Sequence, residues 1–178
     1  ARTADLSRHH VVLSDPSGVV TVTGGKLTTY RRMAQDTVDA VLKLRGRFRR
    51  CRTRRLRLRG AGGGGTGDPH LDGRYGDEAA QVRALVEEDS TLGEPLVPGL
   101  AYLRAEAVHA VRHEMATTLD DVLSRRTRAR LEDRAATLAA APAVADLMAA
   151  EAGWSDERRD GEVATLRASI EAEVAAAG

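Results

Sequence analysis

Two short β-branched runs lie near the start of the chain, and within a few residues their pattern gives way to a helical one. His10-Val11-Val12-Leu13-Ser14 and Val19-Val20-Thr21-Val22-Thr23 flank Asp15-Pro16-Ser17-Gly18. Proline presets one backbone angle of a turn and glycine relaxes another, so the pattern predicts a β-hairpin. After Gly24-Gly25, the residues Met33, Ala34, Thr37, Val38, Val41 and Leu42 recur at three- and four-residue spacing. That spacing predicts an amphipathic helix starting near Thr28 or Thr29. The apolar period then lapses. Residues 45–59 carry nine arginines, followed by the glycine run Gly62 to Gly65 and by Gly67-Asp68-Pro69, which together predict a linker over 45–70.

From about Leu71 the period is helical throughout. Ala80, Val82, Leu85 and Val86 form the apolar face of a helix over 77–88, which Pro95 and Pro98 end. Ala107, Val108, Val111 and Met115 share one side of a helix over 104–117. Thr118-Leu119-Asp120-Asp121 resembles a capping box and restarts the chain at Val122-Leu123. A further helix is expected over 126–140. Pro142 suits the first turn of the next, Gly153 its C-terminal cap, and Ser155-Asp156-Glu157 the start of the last. The fold class expected is α+β but mostly α. The segment 1–44 supplies a hairpin and helix, the linker 45–70 comes next, and 71–178 forms a helical domain of five or six helices.

Composition narrows the functions open to such a chain. Its 178 residues are 42% hydrophobic and 30% charged with a formal net charge of +1, ordinary values for a globular protein. Phosphate-backbone binding requires a large positive excess, so a dedicated nucleic-acid partner is excluded as an expectation. The arginine stretch also lacks interleaved aromatics for base stacking. Cys51 is the single cysteine, which excludes an internal disulfide and fits a reducing, cytoplasmic setting. No stretch reads as a signal peptide or as the roughly 18 or more apolar residues of a membrane span. The chain begins at Ala1 within a segment that reads as mid-domain, so a fragment of a longer protein is expected.

The chemistry concentrates in Thr23-Gly24-Gly25-Lys26-Leu27-Thr28-Thr29-Tyr30-Arg31, a strand, two glycines, a lysine and a helix start. Glycine lets backbone approach a ligand closely, and the first-turn amides of a helix point outward with the positive dipole end. Lys26 adds a full charge, so the segment reads as an anion site. A nucleotide P-loop needs glycine where Val20 stands and Ser or Thr where Leu27 stands, so that motif is absent. The alternative is a tight connection with a solvated lysine, and spacing alone does not separate the two.

The run from Thr23 to Asp39 resembles the C-terminal flavin-contacting segment of FAD-dependent glycerol-3-phosphate dehydrogenases. The resemblance continues through Cys51 to Leu56, Arg74-Tyr75-Gly76, Glu106-Ala107-Val108, Arg112 to Ala116, Thr118 to Arg126 and Gly153-Trp154, covering nearly the whole chain in order. It implies FAD as cofactor, and sn-glycerol 3-phosphate as a substrate oxidised to dihydroxyacetone phosphate. It further implies electrons passed to the quinone pool, and a peripheral position on the cytoplasmic face of an anionic inner membrane. By the same resemblance Arg8 and Lys26 hold substrate, while Gly24, Gly25, Leu27, Thr28 and Thr29 line the flavin. The chain departs from the family in lacking the N-terminal dinucleotide fingerprint and most substrate and catalytic residues, and in being short and glycine-rich over 60–70. An N-terminal FAD-binding half is therefore an expected partner. Two other readings stand beside this one: a related oxidase that uses oxygen, and a stand-alone helical interaction module.

Other features have plainer readings. Glu106, His109 and His113 share a helix face, but a di-iron bundle needs two Glu-x-x-His motifs, so surface or hydrogen-bonded histidines are expected. His9 and His10 read as strand residues. Cys51 lies among arginines that favour its thiolate, yet no histidine neighbours it in sequence to serve as a base. Arg125, Arg126, Arg128 and Arg130 read as surface ion pairs with Asp120 and Asp121, and Trp154 as an anchor for the last two helices.

Overall fold

The structure, a computed structural model, describes residues 9–177, in two compact units that divide between Leu58 and Arg59. In the first unit, β1 (His10–Ser14) and β2 (Val20–Gly24) pair antiparallel, with Val12 opposite Val22. The turn is closed by Gly18 N–H donating to the Asp15 carbonyl at 2.9 Å and by Ser17 N–H donating to the Asp15 carboxylate at 2.8 Å. A single 3₁₀ turn, Leu27–Thr29, leads into α1 (Tyr30–Leu44). The hairpin is docked on α1 through His10 Nε2, which lies 2.9 Å from Asp36 Oδ2. A two-stranded hairpin is marginal by itself, and Val11, Leu13, Val19 and Val22 remain exposed on this one. The arginine stretch does not leave the unit as a free linker. Arg31 on α1 donates to Thr53 Oγ1 at 3.3 Å, which holds the 3₁₀ turn Thr53–Arg55 beside the helix.

The second unit is helical. It comprises α2 (Pro69–Tyr75), α3 (Ala79–Glu88), α4 (Arg104–His113), α5 (Ala129–Glu132), α6 (Arg134–Ala152) and α7 (Asp156–Ala177). Its glycine-rich lead-in is folded against it. The carboxylate of Asp72 accepts from Thr66 N–H at 3.0 Å and from Gly67 N–H at 3.2 Å. Gly60 lies so close to Gly76 that a Cβ on Gly76 would overlap its carbonyl oxygen. Residues expected as a flexible linker thus include a helix start, with Asp68 capping the amides of His70 and Leu71 and Pro69 in the first turn.

The main core joins α4, α6 and α7, with Leu119, Leu123, Met148 and Leu166 among its fully buried side chains. A smaller cluster of Leu71, Tyr75, Ala79, Val82 and Leu85 sits between α2, α3 and α4. The Thr118 cap forms as expected: Asp121 N–H donates to Thr118 Oγ1 at 3.1 Å, and Thr118 N–H donates to Asp121 Oδ2 at 3.0 Å. The chain leaves this cap in a π-helical turn, Asp121–Arg126, rather than in an α-helix. Gly153 ends α6 at φ +66°, and Ser155 Oγ accepts from Arg158 N–H at 3.2 Å to open α7.

The structure corrects three expectations. Pro142 does not start a helix; it lies inside the 19-residue α6, whose start at Arg134 is capped by Asp133 accepting from Ala136 N–H at 2.8 Å. The same helix is alanine-rich enough to satisfy, by length and composition alone, the requirement for a membrane span. Its Ala141, Val144, Ala145 and Met148 instead pack in the core. Arg130 is not a surface ion pair. It is buried and ties Asp120 Oδ1 (3.1 Å), just before the π turn, to Glu173 Oε1 (2.7 Å) and Ser169 Oγ (3.0 Å) on α7.

Candidate cofactor and substrate site

The glycine pair sets the geometry of the first unit's candidate site. Gly24 and Gly25 both take the left-handed backbone, at φ +77° and +81°. A Cβ on Gly24 would stand 2.8 Å from the His9 carbonyl oxygen, and one on Gly25 would stand 2.5 Å from Met33 Sδ. The spaces their missing side chains leave are therefore filled by the chain itself. Glycine is required here to turn β2 into the helix start, so close approach by a ligand is not needed to explain the pair.

That turn presents Lys26, Leu27 and Thr28 on an open ledge. Lys26 is exposed, and Leu27 is 86% exposed, a large apolar side chain with almost no cover in this unit. The Thr29 hydroxyl donates to the Lys26 carbonyl at 2.9 Å and accepts from Lys26 N–H at 3.2 Å, locking the loop onto the 3₁₀ turn. Thr29 N–H donates to the Lys26 carbonyl at 2.9 Å and Tyr30 N–H to the Leu27 carbonyl, so the amides without a partner inside the turn are those of Leu27 and Thr28, next to the lysine. A cation beside the start of a 3₁₀ turn, with an uncovered apolar side chain next to it, suits one wall of a site for an anionic group. Arg8, the other expected substrate ligand, lies outside the described residues.

The second unit holds a buried polar cluster around Glu106, on the helix face where surface or hydrogen-bonded histidines were expected. The Glu106 carboxylate is enclosed and accepts from Leu103 N–H at 2.9 Å and Tyr75 Oη–H at 2.9 Å. His70 Nε2 lies 2.7 Å from it and Arg74 Nε 3.0 Å. The Arg74 guanidinium lies over the rings of Tyr75 and Tyr102, at 5.5 and 5.3 Å from their centroids. Burial, with the Glu106 charge beside it, pushes the Tyr75 hydroxyl far above its usual range; burial and the Glu132 partner push Tyr102 up to about 12. With Tyr75, Arg74 and His70 on α2 and Leu103 N–H all within reach of its two oxygens, Glu106 ties α2 to α4.

The histidines one and two turns further along α4 do not join Glu106 in a ligand set. His109 is buried with its ring 4.9 Å from that of His113, and its Nδ1 has no hydrogen-bond partner among the described residues. Burial, with His113 beside it, lowers its pKa. A sequence signal for this arrangement does exist: Glu106 stands three residues after Leu103, where a capping acid sits.

Comparison with known proteins bears on both units. Residues 51–159 match the C-terminal domain of alpha-glycerophosphate oxidase. The chain belongs to that family. It is 37% identical to the glycerol-3-phosphate dehydrogenase of Mycobacterium leprae over 97% of this chain and 32% of that protein. Identity with glycerol-3-phosphate dehydrogenase 1 of Mycobacterium tuberculosis is 46% over 75% of this chain and 27% of the relative. With the mitochondrial glycerol-3-phosphate dehydrogenase of Mesocricetus auratus it is 35% over 93% of this chain and 25% of that protein. The chain thus spans between a quarter and a third of the length of these relatives. The match to the oxidase domain runs from Cys51 into α7, and the longer alignments extend over the hairpin and ledge as well.

Proposed function

We propose that this chain forms the C-terminal part of an FAD-dependent enzyme that oxidises sn-glycerol 3-phosphate to dihydroxyacetone phosphate. The reading rests on one observation: relatedness to proteins named glycerol-3-phosphate dehydrogenase extends over 97% of the chain, including the ledge at Gly24 to Thr29. The bound FAD supplies the two-electron acceptor to which hydride passes, and quinone is the onward acceptor proposed. Gly24, Gly25, Leu27, Thr28 and Thr29 form the wall against the flavin ring. The helix-start amides there offset negative charge that develops on the ring, a preorganised arrangement that needs no motion during reaction. Lys26 and Arg8 hold the substrate phosphate, which charged donors bind more strongly than neutral ones. An N-terminal half supplies the remaining cofactor and substrate contacts and covers Leu27. The proposed setting is the cytoplasm, peripheral to the inner membrane.

The test joins this chain to its preceding sequence and monitors the visible flavin band during anaerobic addition of glycerol 3-phosphate. Bleaching is expected. A flavin band that persists would move the substrate elsewhere, and a colourless protein would remove the flavin reading. In the same protein Lys26→Met is expected to retain flavin while lowering kcat/KM for glycerol 3-phosphate by about tenfold or more.

A further inference from the structure

The first unit carries a second recess, formed where residues 49–58 run beside α1. It has two adjoining parts. One is a trough of about 730 Å³ with predominantly apolar walls, floored by Ala34, Val38 and Leu42 on α1 and edged by Leu56 and Leu58. That volume is in the range of small-molecule sites. The other is a wider hollow lined by six arginines, Arg31, Arg32, Arg50, Arg52, Arg54 and Arg55, with no carboxylate among its lining residues. The two parts share Arg31, Gln35, Arg50, Cys51, Arg52, Arg54 and Leu56.

The positive charge of the hollow is largely unspent. Arg32 pairs with Asp36 at 3.1 Å, and Asp36 is itself engaged by His10. Arg31 turns to neutral partners, Gln35 Oε1 at 3.0 Å and Thr53 Oγ1 at 3.3 Å. Asp39 is the one carboxylate that lines the apolar trough. Guanidinium groups match phosphate oxygens in geometry and charge. An apolar trough opening directly into such a cluster therefore complements a molecule that joins an anionic head to a hydrocarbon chain.

We propose that this recess binds a single-chain amphiphile with a phosphate head, the chain lying along Val38 and Leu42 and the phosphate held by Arg52 and Arg54. Charge complementarity decides the occupant: a purely apolar segment would leave the arginines unanswered, and a free phosphate would leave the trough open to water. The trough, bounded by α1 on one side and by Leu56 and Leu58 on the other, is large enough to take a hydrocarbon chain.

The test is calorimetric titration of the full chain with dodecyl phosphate below its micelle concentration, with inorganic phosphate and dodecanol in parallel. Saturable one-to-one binding of dodecyl phosphate is expected, at least tenfold tighter than either half-ligand. Val38→Asp puts a carboxylate in the trough, and Arg52→Gln with Arg54→Gln empties the head site. Val38 is exposed and the two arginines line the rim, so both variants are expected to keep the circular dichroism spectrum and to weaken binding at least tenfold. Three results would overturn the proposal: no saturable binding to the monomeric ligand, binding unchanged in both variants, or association with anionic phospholipid vesicles alone. Self-association in solution that Val38→Asp abolishes, without any response to dodecyl phosphate, would also overturn it, assigning the face to a second copy.

Discussion

Glu106 accounts for much of what single residues decide in the helical unit. Its carboxylate takes hydrogen bonds from α2 and from the start of its own helix while wholly enclosed. Removing one partner of a buried charged network leaves the others unanswered, which costs about 3–5 kcal/mol. Glu106→Ala is therefore expected to lower stability by that amount in urea unfolding, and Glu106→Gln by less, because the amide oxygen still accepts from Tyr75. His109 adds a pH dependence of definite sign. Its folded pKa lies below the ordinary value because burial penalises the imidazolium, so the unfolded chain takes up the proton more readily. Stability is then full above the ordinary histidine pKa of about 6.5 and falls as pH drops through that value towards the depressed one. Glu114 acts oppositely, since burial raises its pKa above the ordinary carboxyl value and protonation favours the folded state. Thermal unfolding from pH 8 to pH 5 is expected to show the histidine loss, and His109→Phe to flatten it. Neither burial was legible in the sequence. Residue spacing put Glu106, His109 and His113 on one helical face, but only tertiary packing removes Glu106 and His109 from water while His113 stays exposed.

At the scale of elements, local chemistry was the reliable guide to where helices begin and end. Ser155, Gly153 and the Thr118–Asp121 pair do what their side chains and backbone freedom allow anywhere in a chain. Pro142 misled for the opposite reason. Proline suits a first turn, but the core contacts of α6 extend on both sides of it and hold one helix together through a missing hydrogen bond. Pro142 is exposed, so Pro142→Ala is expected to restore that bond without disturbing packing and to raise the melting temperature, with a gain of about 1 kcal/mol or more. A drop in melting temperature would show that a kink at Pro142 is needed for α6 to reach its neighbours.

For the whole molecule, the boundary at Leu58 and Arg59 makes a direct prediction. Residues 59–178 contain the capped helices and both apolar clusters, and are expected to melt cooperatively as an isolated fragment. A fragment starting at Leu71 omits Thr66, Gly67 and Asp68, which hold or are held by Asp72 and cap α2. It is expected to melt at a lower temperature in the same circular dichroism experiment. Equal melting temperatures would return residues 59–70 to the status of a linker. In the hairpin unit the strands leave Val11, Leu13 and Val19 exposed and the ledge leaves Leu27 uncovered.

The sequence by itself determined the hairpin, the helix after it, the helical class of the remainder and the position of the glycine turn between strand and helix. Each of these arises from short-range rules: residue alternation, three-to-four spacing, and the backbone angles open to glycine and proline. Tertiary structure alone decided which polar residues are buried and what the glycines and arginines do. Gly24 and Gly25 answer to His9 and Met33, Arg130 to Asp120 and Glu173, and the arginines of residues 49–55 to a trough along α1. These contacts join residues close in space but separated along the chain. Their energies depend on exclusion of water, which no local pattern encodes.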